Sequence, residues 1–109
     1  MPIVQSFGCN FPLIILLMSA MDRFILFGSY CENAIEKRTP FRAEHLSRLS
    51  KLKEEGILIT LGPTKCMRYV FGIFEVSSID ELKQLLENDV YWKEGIWTSL
   101  DIYPWTQAF

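Results

Sequence analysis

The stretch Ile57 to Val76, ILITLGPTKCMRYVFGIFEV, decides the fold. Ile57-Leu58-Ile59-Thr60-Leu61 is apolar and rich in β-branched residues, and Gly62-Pro63 ends the run because proline cannot donate to a ladder. Tyr69-Val70-Phe71-Gly72-Ile73-Phe74-Glu75-Val76 is a second such run only a few residues on. The two therefore pair as an antiparallel hairpin through Thr64–Arg68. What flanks this hairpin on each side settles the topology.

Upstream, Thr39 reads as an N-cap, Pro40 suits the first helical position and Gly56 is a good terminator, which predicts a helix from Pro40 to Glu55. Before it, Phe24 to Tyr30 is a short apolar and aromatic strand that feeds an exposed polar loop, Cys31 to Thr39. Downstream, Ser77 or Ser78 caps a second helix carrying Ile79, Leu82, Leu85 and Leu86, with Asp80 and Glu81 in its first turn and its end near Asn88. A last strand, Ile96 to Tyr103, places Ile96, Thr98, Leu100 and Ile102 on one face and Trp97, Ser99, Asp101 and Tyr103 on the other, and Pro104 stops it. The order βαββαβ is the split-βαβ, ferredoxin-like arrangement, an α+β fold with a four-stranded antiparallel sheet and both helices on one sheet face. Strand alternation makes the other face apolar and aromatic too. A homodimer joined through these open sheet faces is expected, because a monomer would expose a large apolar patch.

The 109 residues, half of them hydrophobic, suffice for one domain with a core and are too few for two ordinary ones. A net charge of -2 with scattered basic residues leaves no electrostatic footprint for nucleic acid. Cys9, Cys31 and Cys66 are odd in number, far apart and outside any CxxC or paired Cys/His spacing, as expected of reduced thiols in a cytoplasmic protein without a bound metal. The apolar run Phe11 to Ala20 is too short to span a bilayer, and Met1 to Asn10 lacks the Lys or Arg of a secretory signal, so no membrane partner is expected. Residues 1–20 are expected to be an extension outside the fold, of the kind an upstream start codon adds, and residues 21–109 the domain.

The chain's single histidine, His45, falls in the second turn of the first helix. At about 100° per residue, Leu46, Leu49 and Leu52 form one apolar stripe, with His45 roughly 40° and Arg42 roughly 20° from its centre. An unpaired buried cation is costly, so these two groups call for an acidic partner from elsewhere or a wet cleft between helix and sheet.

Glu36-Lys37-Arg38, Arg42, His45-Leu46 and Arg48-Leu49, followed by Glu55-Gly56, Leu58, Gly62-Pro63, Asp89, Tyr91, Gly95 and Tyr103-Pro104-Trp105, resemble the YciI-like (YCII-related) family over roughly Met21 to Phe109. The resemblance implies a ferredoxin-like fold, a dimeric α+β barrel and an active site centred on a histidine and an aspartate. His45 matches the histidine of the family's Arg-x-x-His-Leu motif, and Asp89 the aspartate after the second helix. That aspartate usually precedes proline in the family; here Val90 follows it.

On this reading Asp89 orients the imidazole and His45 takes and returns a proton, whereas the bland alternative is a satisfied structural pair. Arg42, one turn before His45, could hold a carboxylate or enolate oxygen, or be tied up by Glu44, Asp89 or Glu94. Arg38 could help if its loop folds back. Gly62 and Pro63 could admit a ligand to the backbone or form a plain turn. Tyr91, with Trp92 and Trp97, could line a pocket for a planar substrate or pack as core or interface. Nothing marks a nucleophile or a metal ligand set beside His45. The expected activity is that of a small, cofactor-independent lyase or isomerase acting on a small-molecule substrate, possessing an acidic proton near a carbonyl or hydroxyl. The alternative is a non-catalytic ligand-binding or protein-interaction module of the same fold.

Overall fold

The structure, a computed structural model, describes residues 21–109. The expected extension, residues 1–20, lies outside them. The elements are β1 (Asp22–Tyr30), α1 (Ala34–Arg38), α2 (Arg42–Glu54), β2 (Leu58–Pro63), β3 (Tyr69–Val76), α3 (Ile79–Glu87), α4 (Val90–Lys93) and β4 (Trp97–Trp105). The strands form one antiparallel sheet in the order β2-β3-β1-β4, as the ferredoxin-like reading requires.

The hairpin forms as read, but β2 continues to Pro63 and β4 runs through Pro104 to Trp105. Both are edge strands, where a missing N–H need not interrupt a ladder, so proline does not stop them. Alternation along β1 and β3 turns Phe24, Leu26, Tyr30, Val70, Phe74 and Val76 inward, where Leu52, Leu82 and Leu86 of the helices complete the core. In β4 the expected faces do not hold. A register shift at Ser29/Tyr30 pairs Tyr30 with Trp97 while Gly28 pairs with Leu100, and this bulge puts the buried Trp97 on the same side as Leu100 and Ile102. Gly28 is required there, since a Cβ would collide with the Ser99 carbonyl.

The segment read as an exposed loop holds α1 and a 3-10 turn, Thr39–Phe41. Thr39 is not an N-cap, because its hydroxyl, one turn after Ile35, donates to the Ile35 carbonyl at 2.8 Å, and α2 begins at Arg42 without a side-chain cap. The other end follows the sequence. Gly56 takes φ +80°, with its N–H on the Lys53 carbonyl (3.1 Å) and the Ile57 N–H on the Leu52 carbonyl (3.0 Å), which is the Schellman pattern. Ser78 caps α3 by accepting from the Glu81 N–H.

The sheet face opposite the helices exposes Phe27, Tyr69, Phe71 and Tyr103, and Phe27 stacks on Tyr69 at 5.4 Å. Among the described residues no helix is long and apolar enough to cross a membrane.

Candidate functional site

His45 is buried, and the buried line of α2 runs through His45 and Leu52, while Leu46 is 43% exposed. The leucine stripe therefore misplaces the inward face by a few tens of degrees. What compensates the buried imidazole comes from the other end of the chain. After α3, Asp89 takes an extended conformation (φ -75°, ψ 140°) and caps α4, its Oδ1 accepting the Tyr91 N–H at 2.9 Å. The same oxygen lies 2.7 Å from His45 Nδ1, with both side chains almost fully buried. Val90 occupies the first helical position, where proline is favoured, so its presence leaves the turn geometry intact.

In this contact the imidazole Nδ1–H is the donor and the carboxylate oxygen the acceptor. The ring is also held by stacking: Tyr91 lies parallel to it at 3.6 Å and Trp97 meets it edge-on at 5.2 Å. Tyr91 thus fixes the carboxylate through its backbone and the imidazole through its ring. A further partner escaped the sequence reading. Arg48, one turn after Glu44 on α2, reaches Asp89 Oδ2 at 3.4 Å and donates to the Leu85 carbonyl at 2.8 Å. Arg42 was a candidate partner for that carboxylate, but Arg48 takes the place.

Beside the imidazole is a cavity of about 150 Å³ lined by Tyr30, Arg38, Arg42, His45, Leu46, Leu49, Leu61, Gly62, Pro63 and Tyr91. The structure thus brings together Arg38, Arg42, His45, Gly62, Pro63 and Tyr91, with Asp89 behind His45. Arg38 arrives because α1 folds the expected loop back. Among the described residues neither Arg38 nor Arg42 makes an ion pair. Gly62 presents open space where a side chain would stand. Trp97 is core and Trp92 packs against it, outside the cavity wall.

Tyr30, at the end of β1, is the wall residue that sequence reasoning overlooked, although alternation from Phe24 and Leu26 turns it toward the helices. Burial raises its hydroxyl above the usual value of 10, against the lowering effect of the nearby Trp97 indole and of Arg38 and Arg42. Burial raises Tyr91 likewise, again opposed by Arg38 and Arg42. Trp97 Nε1 is buried without meeting hydrogen-bond geometry to any partner among the described residues. A larger hollow of about 1050 Å³ shares only Tyr30 with this cavity and contains none of the candidate catalytic or substrate-binding residues expected from sequence. Among the described residues there is no cluster of three or more His, Cys, Asp or Glu side chains that could hold a metal ion.

Comparison with known proteins places these features in context. The family described as YCII-related domain matches residues 22–106. An uncharacterized protein of Haemophilus influenzae is 26% identical over 98 residues, covering 79% of this chain and 98% of the relative. Protein YciI of Escherichia coli O6:H1 is 25% identical over 96 residues, covering 79% of this chain and 98% of its own. Among solved structures, 5-chloro-2-hydroxyhydroquinone dehydrochlorinase (TftG) of Burkholderia phenoliruptrix, in complex with 2,5-dihydroxybenzoquinone, superposes with a TM-score of 0.69 at 26% identity, covering 79% of this chain and 95% of that one.

Proposed function

The chain belongs to the YCII-related domain family, and we propose that it is a small enzyme of lyase or isomerase type performing general acid–base catalysis on a small aromatic or enolic metabolite. The observation that carries this reading is the buried His45–Asp89 contact at 2.7 Å on a ring that also walls a cavity. His45 Nε2 takes a proton from a carbon or oxygen next to a carbonyl or hydroxyl, and Asp89 stabilises the imidazolium that results. The same nitrogen then returns the proton elsewhere on the substrate. Arg42 and Arg38, without ion pairs among the described residues, hold the anionic part of the substrate, Tyr91 supplies a flat aromatic wall, and Gly62 and Pro63 let it approach the β2 backbone. The dehydrochlorinase relative, in complex with a dihydroxybenzoquinone, supports a ring compound of that size.

The test is turnover of a panel of hydroxylated rings and enolic acids by wild type and His45→Gln, with binding read separately by thermal shift. Turnover should fall to background in the variant while much of the binding persists. Full turnover in His45→Gln would refute the assignment, and a binding module would show no turnover in either protein. We further propose that two copies pair through the open sheet faces, since Phe27, Tyr69, Phe71 and Tyr103 lie exposed on one face of the sheet, and that the protein is cytoplasmic, in keeping with its scattered, unpaired cysteine spacing.

A further inference from the structure

The cavity beside His45 has one apolar side, from Leu46, Leu49 and Leu61, and one side of hydrogen-bond donors. Arg38 and Arg42 contribute guanidinium groups that make no ion pair among the described residues, and the buried Tyr30 contributes a phenol. Its size matters as much as its lining. At about 150 Å³ it matches an engineered protein cavity that holds one benzene ring, so a single six-membered ring fits. Arg42 is exposed and Arg38 half-buried, so a neutral ring would leave both guanidinium groups to solvent, whereas a ring oxygen bearing charge would accept hydrogen bonds from them directly.

We infer that this cavity holds a hydroxylated six-membered ring as its oxyanion, with the Tyr30 hydroxyl donating a hydrogen bond to that oxygen beside Arg38 and Arg42. The inference rests on the acid–base reading of the site and adds to it the charge state of the bound ring and a residue that touches it. A phenol is protonated at neutral pH even at its ordinary value, and burial pushes Tyr30 further in that direction, so its hydroxyl is a donor there. The donors then lie where charge develops when His45 removes a proton, and they need no reorganisation as it forms.

The probe is 4-nitrophenol, which ionises near neutral pH and whose anion alone is yellow. Titrating the full chain into the dye at a series of pH values gives separate affinities for the anion and the neutral phenol. Wild type should prefer the anion by about 10–100-fold, and Tyr30→Phe, which keeps the packed ring, should lose about tenfold of that preference with its melting temperature little changed. His45→Gln should retain the part of the preference that depends on Tyr30. Absence of turnover on every compound would thus sink the acid–base reading while leaving this result standing. The inference is overturned by a bound dye that is neutral, by no saturable binding at millimolar protein, or by Tyr30→Phe binding the anion as selectively as wild type.

Discussion

Replacing Asp89 tests the site and the fold at once, because one buried carboxylate serves three donors. In Asp89→Ala the Tyr91 N–H loses its cap, which costs about 1 kcal/mol. The His45 Nδ1–H is left buried without an acceptor, at about 1–3 kcal/mol. Arg48, with a side chain 29% exposed and a contact of 3.4 Å, adds no more than about 0.5 kcal/mol after solvent screening. The expected loss is therefore about 3 kcal/mol, or roughly 12–24 °C in melting temperature for a domain of this size. Asp89→Asn keeps the shape and one acceptor oxygen, so it should lose only about 1–2 kcal/mol. Function should order the variants differently. Asparagine no longer stabilises an imidazolium, so turnover should fall on the order of 10²–10⁴-fold even where the fold survives. Urea titrations at fixed protein concentration, followed by circular dichroism, give the stabilities, and single-substrate kinetics give the rest. An Asp89→Ala protein within about 1 kcal/mol of wild type would refute the view that this carboxylate carries the local hydrogen bonds. An Asp89→Asn protein with wild-type turnover would refute its catalytic role.

Three other outcomes are expected of the folded chain. Gly28→Ala drives a methyl group into the Ser99 carbonyl across the β1–β4 ladder and should destabilise by about 1–3 kcal/mol in the same urea assay. Both Tyr30 and Tyr91 are raised above 10 by burial, so the folded chain holds their protons longer than the unfolded chain; stability is full below pH 10 and should fall above it, by up to about 1.4 kcal/mol per pH unit for each, with a shallower fall in Tyr30→Phe. Static light scattering at micromolar concentration should give the dimer mass for wild type and the monomer mass for Phe71→Glu, which puts a charge in the middle of the open face.

The parts of the fold legible in the sequence are those that periodicity controls. Alternation in Tyr69–Val76 is local, and so is the Gly56 stop, hence β3 and the end of α2 fall where the pattern puts them. The exceptions come from partners distant in sequence. No binary pattern shows the bulge opposite Ser29, yet that one extra residue moves Trp97 into the core. The tilt of α2 toward His45 depends on a carboxylate 44 positions later, and hydropathy registers no gain from a histidine that is paired. By helical spacing Arg42 lies roughly 20° from the centre of the leucine stripe and Arg48 about 100° from it, so periodicity favours Arg42 as the inward cation. Which of them meets Asp89 is decided by how α2 lies against α3 and α4, since Arg48 is also anchored on the Leu85 carbonyl. The resemblance to the family supplied Asp89 and Arg38, for which periodicity gave no reason.

Stability alone is a poor account of why such a site persists. A buried polar pair replaced by apolar residues of equal volume is often neutral or stabilising, so apart from the cap on Tyr91 the contact between His45 and Asp89 offers the fold little that two well-packed aliphatic side chains could not. Arg38 and Arg42 add to the discrepancy. The chain carries 13 acidic residues, and yet these two cations stand at the cavity without an ion pair among the described residues, next to an imidazole and two phenols. Meanwhile the third nearby cation, Arg48, is spent on holding the carboxylate from behind. One guanidinium thus fixes the carboxylate that holds the imidazole, and two others line a cavity of ring size. That division is what a site needs when its task is to take a proton from a ring and hold the negative charge left on it.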